Sequence, residues 1–135
     1  MVMQDWYRAV LALVIWREAR GESYAGKVAV ASVIRNRVNA TRLPDQWDDV
    51  IERKWQFSSM TAPGDAMLVQ WPHDGDQSWL DSMNVAEGVF DGTIADNTDG
   101  STLYANLSVC HPNWNFAELT QTAIIGAHTF FKETT

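Results

Sequence analysis

Two glutamates, Glu18 and Glu22, stand four residues apart in the stretch WREARGES, with Arg20 and Gly21 between them. They fall in a break between two apolar segments. A carboxyl group at the end of a buried helix loses its water. Desolvation penalises the anion, so the affinity for a proton rises. A group tuned in this way can act as a general acid near neutral pH. Spacing also allows a plainer arrangement, an ion pair from Glu18 to Arg17, Arg20 or Arg35, because buried carboxylates are usually paired. Glu22 lies past Gly21, just ahead of the next apolar run. An acid there caps free backbone N–H groups and suits the helix dipole. Its expected role is structural.

The element that must position Glu18 is a helix over residues 5–19, with Asp5 as N-cap and Gly21 beyond its end. It is apolar nearly all round from Ala9 to Trp16, the pattern of a central buried helix. A second helix, 25–38, buries Val28, Val30, Ala31, Val33, Ile34 and Val38 and turns Arg35 and Arg37 to water. Pro44 opens a third, over 45–53. Residues 54–76 carry Pro63, Gly64, Pro72 and Gly75 without a helical period. Loops of that length in a compact domain are often functional. A fourth helix, 78–91, is closed by Gly92. Residues 102–108 read as a strand. The tail AIIGAHTFFK, with Gly126 in mid-run, favours extended structure. Helices first and a minor extended part after them make an α+β chain, mainly helical, with one domain over 1–135.

Composition narrows the function. The chain has 135 residues, 46% of them hydrophobic, and a net charge of -7. An acidic balance argues against nucleic acid, which attracts a basic face. The single cysteine, Cys110, permits no intrachain disulfide; it reads as a buried inert thiol, and the chain as one made in a reducing compartment. No apolar run reaches the ~20 residues of a membrane span. Arg17 and Glu18 follow the apolar run where a signal peptide would have its cleavage site, so no export signal is read. The seven tryptophans suit either a core or a groove that stacks on sugar rings.

Four blocks, in order, carry a resemblance. EARGESYAGKVAVASVIRNRV is similar to the signature of the spore cortex-lytic enzyme and cell-wall hydrolase (SleB-like) family. WQFSS resembles its Gln-Phe-Ser element, STLYANLSVCHPNWNF its later Leu-Tyr and Pro-x-Trp segment, and IIGAHTFFK its closing Ile-Gly-x-His-x-Phe. The resemblance implies a lysozyme-like fold of the transglycosylase kind, cleavage of peptidoglycan glycan strands, and Glu18 as the general acid. Expected sugar contacts are Gln56 and Ser58, with Phe57 packing between them. Tyr104 and Asn106 join them, placed on one side of an extended segment by two-residue alternation. Trp114 either stacks on substrate or pins its loop. His128 is expected to make a structural hydrogen bond.

No second acid stands out in these blocks. A lytic transglycosylase needs none, because the muramic acid's own C6 hydroxyl attacks and leaves a 1,6-anhydro product. A muramidase would recruit a loop acid, Asp65, Asp74 or Asp76. An N-acetylmuramoyl-alanine amidase generally needs zinc, and His73, His111 and His128 form no close-spaced ligand pair. A glycan-binding module without activity would not need Glu18. No metal or cofactor is expected. The chain reads as a monomeric, phage-type endolysin acting on the bacterial wall. Arg17, Arg20, Arg35 and Arg37 could line a positive groove beside Glu18.

Overall fold

The computed structural model describes residues 3–40, 47–52 and 57–134. Its helices are α1 (Met3–Ala19), α2 (Tyr24–Ala40), α3 (Trp47–Ile51), α4 (Ser58–Thr61) and α5 (Gln77–Asp91). Its strands are β1 (Leu103–Ala105), β2 (Leu119–Ile125) and β3 (His128–Glu133). The expected α+β class, mainly helical, is what is found. None of these helices is long and apolar enough to cross a membrane.

Helix α1 is the axis of the core. Leu11, Val14 and Ile15 are fully buried, and Tyr7, Val10, Ala12, Trp16 and Ala19 nearly so. Each large apolar side chain removed from water contributes roughly 1.5–3 kcal/mol, so no single contact defines the fold. Around α1 pack Val30 and Ile34 of α2, Val50 and Ile51 of α3, and Val85 and Val89 of α5. Asp5 lies inside the first turn of α1 and not at its cap; it faces Arg8, 3.5 Å away. Helix α5 starts one residue before the expected 78 and is closed by Gly92 as expected. Asp76 accepts from the N–H groups of Ser78 and Trp79, and Gly92 closes the helix in the left-handed region at φ 82°. The core part of the expected third helix forms; residues 45, 46 and 53 lie outside the described ones.

The strands form one antiparallel sheet in the order β1-β3-β2. The tail is a hairpin. Gly126 is the first residue of its two-residue turn, with φ 58°. A positive φ at that position matches the right-handed twist of the flanking strands, and glycine adopts it without a Cβ penalty. A register shift between Gln121 and Ala123 kinks β2. Phe130 is fully buried and closes a second, smaller cluster with Ala29 and Val33 of α2. Strand β1 is shorter than its apolar run suggests. It ends at Ala105 because Asn106 starts a turn, accepting from the Ser108 N–H at 3.1 Å and its hydroxyl at 2.6 Å. Cys110, just beyond that turn, is exposed and not buried.

Candidate active site

Glu18 occupies the last turn of α1 and is half-buried. Its partner comes from the sheet and not from an arginine. The Tyr104 hydroxyl donates to Glu18 Oε1 at 3.0 Å. Tyr104 stands on β1, stacked on Phe130 with ring centroids 5.7 Å apart, and meets the His128 ring edge-on at 4.9 Å. Burial, and then the neighbouring Glu18 carboxylate, push the Tyr104 phenol well above its ordinary range. It therefore remains a proton-bearing donor at neutral pH. Among the described residues no hydrogen bond reaches the other Glu18 oxygen.

The arginines near Glu18 do other work. Arg17 is only 7% exposed. Its guanidinium donates to the carbonyls of Ser59 (3.1 Å), Leu68 (3.2 Å) and Gln70 (3.1 and 3.2 Å). Burial lowers its pKa, partly offset by Asp65. Three carbonyls, one in α4, one in a 3-10 turn over Ala66–Val69 and one at that turn's end, are thus satisfied by one planar fork, which a lysine could not span. Trp71 lies over the same guanidinium at 4.7 Å and is 63% exposed. Arg35 donates to the Val89 carbonyl and Arg37 to that of Thr102. Both are half-buried clamps between elements, not a wet face or a groove lining. Of the four, Arg20 is the exposed one, and its guanidinium lies 4.5 Å over the Trp16 ring.

The turn that joins α1 to α2 is held from beneath. Lys27, buried in α2, donates to the carbonyl of Glu22 at 2.8 Å and faces that of Arg20 at 3.4 Å. The side-chain cap of α2 is Ser23, whose hydroxyl accepts from the Gly26 N–H. Glu22 is not the cap. Its carboxylate reaches across to the hairpin, 3.4 Å from the Ala127 N–H and 3.3 Å from His128 Nδ1. The His128 contact has ion-pair distance without good hydrogen-bond alignment.

Glu18, Tyr104, His128 and Glu22 therefore converge. Trp114 does not join them. It packs edge-on to Phe131 at 5.9 Å, on the sheet face opposite Tyr104, and lines a separate open concavity of about 630 Å3 with Glu118 and Glu133. Asn106 lies two residues beyond Tyr104, but in a turn, so strand alternation does not align the two. Gln56 and the side chain of Ser58 lie outside the described residues. Phe57 is buried, as expected. Two of the loop acids serve the backbone. Asp65 accepts from Met67 N, and Asp76 caps α5 while its second oxygen accepts from Trp16 Nε1 at 3.0 Å. Burial alone would raise the Asp76 carboxyl; the Trp16 and backbone bonds outweigh it and hold the group below its usual range. The sequence reading missed the roles of Arg17 and Lys27. A lone lysine within the apolar run GKVAVASV was the available signal for the second.

A helical body with a small antiparallel sheet set against the acid-bearing end of its buried helix defines a lysozyme-like domain. The chain belongs to the Cell Wall Hydrolase family, whose model matches residues 21–131. That span holds Glu22, Tyr104 and His128 and begins just after Glu18. A spore cortex-lytic enzyme of Halalkalibacterium halodurans is 33% identical over 122 residues, 90% of this chain and 33% of that protein. One of Oceanobacillus iheyensis is 34% identical over 125 residues, 91% of this chain and 40% of that protein. The chain thus spans well under half the length of these relatives. Among solved structures, the catalytic domain of the germination-specific lytic transglycosylase SleB from Bacillus anthracis matches with a TM-score of 0.73 at 27% identity, covering 93% of each chain. The catalytic domain of the Bacillus cereus SleB protein matches at 0.72 with 27% identity, covering 93% of this chain and 89% of that one.

Proposed function

We propose that this domain cuts the glycan strand of peptidoglycan as a lytic transglycosylase, with Glu18 as its acid and then its base. The observation that carries the reading is the Tyr104–Glu18 contact. It fixes one carboxyl oxygen; in this reading the other meets a glycosidic oxygen. In the first half-reaction Glu18 gives its proton to the leaving oxygen while the sugar ring gains oxocarbenium character. In the second the C6 hydroxyl of muramic acid attacks the anomeric carbon and Glu18 takes its proton. The product carries a 1,6-anhydro ring, and no water is consumed. The commitment of Asp65 and Asp76 to capping supports a one-carboxylate route over a muramidase. Sugar contacts in this reading come from the Asn106 amide, from Gln56 and Ser58, and from the exposed face of Trp71. Trp114 belongs to a different surface.

Purified walls digested by the domain should yield 1,6-anhydromuramoyl ends by mass spectrometry. Glu18→Gln keeps the shape and the bond from Tyr104 but removes the proton, and should cut lysis by ~100-fold or more with folding intact. Reducing muramic acid ends would establish a muramidase instead, and free stem peptides on intact glycan an amidase. A folded Glu18→Gln variant with near-normal lysis would remove Glu18 from the mechanism.

A further inference from the structure

Glu22 is seated with more care than a surface acid needs. A Cβ at Gly126 would collide with its carboxylate, and one at Gly26 would come within 2.8 Å of its own Cβ. Two glycines on different elements therefore leave the room it occupies. Its backbone is fixed by Lys27 at 2.8 Å, and its side chain is only 16% exposed. Since Ser23 caps α2, this arrangement does not serve the helix end. It serves the hairpin. Glu22 Oε1 engages His128 Nδ1 and the Ala127 N–H. The His128 ring abuts Tyr104 at 79° to its plane, and the Tyr104 phenol holds Glu18.

We infer that Glu22 is a positioning residue for the reaction: through His128 it sets Tyr104, and through Tyr104 it sets the carboxyl group of Glu18. The inference rests on the reading of Glu18 as the acid. The path is continuous, from carboxylate to imidazole to phenol to carboxylate, at 3.3, 4.9 and 3.0 Å between successive groups. Its geometry explains the four-residue spacing of the two glutamates. Glu18 ends α1 and points to the sheet; Glu22, one turn of chain later, reaches the same sheet from the hairpin side. Phe130 stacks on Tyr104 and the His128 ring meets it edge-on, so the two rings together hold the phenol in place, and Glu22 holds His128.

The test is a double-mutant cycle on turnover of soluble glycan fragments, with kcat and KM measured separately. Glu22→Gln should lower kcat by about ten- to a hundredfold, the scale of a small misplacement of a catalytic group, and leave KM unchanged. Tyr104→Phe should lower kcat similarly. The double variant should be no slower than the slower single one, because both act on one contact. Losses that multiply, or a kcat untouched by Glu22→Gln, would overturn the inference. If Glu22→Gln fails to fold, His128→Leu takes its place in the same cycle; it keeps volume beside Tyr104 and removes the atom that Glu22 engages. A wild-type domain that releases no glycan products defeats the reading of Glu18, and this inference with it. A slow Tyr104→Phe beside a silent Glu22→Gln defeats the relay alone.

Discussion

Replacing Arg17 by methionine would keep an apolar stem of similar length and remove every donor. The structure sets the size of the effect. The bond to Ser59 is buried, so its carbonyl would be orphaned at a cost of about 1–3 kcal/mol. The bonds to Leu68 and Gln70 are only partly buried. Water would replace them, at about 0.5–1.5 kcal/mol each. Against this stands the relief of desolving a guanidinium, the same burial that lowers its pKa. A net loss of roughly 3 kcal/mol follows, since stranding a buried polar group outweighs the relief. For a chain of this size that lowers Tm by about 10 °C. Urea denaturation followed by circular dichroism measures it, with an unchanged slope confirming that the two-state transition is intact. Arg17→Lys should recover only part, because a point charge cannot serve three carbonyls. A stability loss in Arg17→Met below about 1 kcal/mol would refute the reasoning, since it would place less than one buried orphan at this site.

Asp96 takes four bonds, from Thr98 N and Oγ1, Gly100 N and Asn36 Nδ2. Burial alone would raise its carboxyl, but the bonds from Thr98 and Asn36 outweigh it and hold it below the usual range. Its folded pKa lies below the unfolded value of about 3.9, so the stability it gives is present above that pH and is lost as pH falls through the folded pKa. Asp96→Ala should therefore cost about 1–3 kcal/mol at pH 7 and progressively less in acid, by urea titration at several pH values. Tyr104 runs the other way. Its folded pKa is raised, so its contribution is present below about pH 10 and falls as pH rises beyond it. Because the Glu18 charge is one cause, Glu18→Gln should bring the Tyr104 ionisation, followed by ultraviolet absorbance, back toward about pH 10. Identical titrations in the two proteins would break the assigned contact.

The helical frame was readable because its signals are local. The apolar run of α1, the Gly92 end of α5, and the break after Glu18 all lie within a few residues of what they decide. What escaped depends on distant partners. Arginines 35 and 37 look solvated in a helical period, yet each meets a carbonyl on another element. Arg17 looks like a helix-end charge until the segment from Ser59 to Gln70 is seen to need donors. Glu22 has the position of a cap, but Ser23 beside it fills that role and frees the longer side chain to reach the hairpin. Strand alternation linked Tyr104 to Asn106 and failed because Asn106 turns the chain. Trp114 follows Tyr104 closely in sequence, and only the sheet separates them.

Tyr104 packs against both hydrophobic clusters, the large one around α1 and the small one formed by Ala29, Val33 and Phe130. The two are unequal in size, and structures open first where fewest apolar contacts resist. Swinging the sheet away would break the phenol–carboxyl bond while α1, α3 and α5 stay packed. Amide exchange in β3 would then proceed through a lower-energy opening than exchange in α1, and the lifetime of a competent Glu18 would follow the β3 amides. Below the shared unfolding transition, brief openings of the sheet would interrupt the site more often than any unfolding of the helices does. The smaller core is the fuse of the larger one.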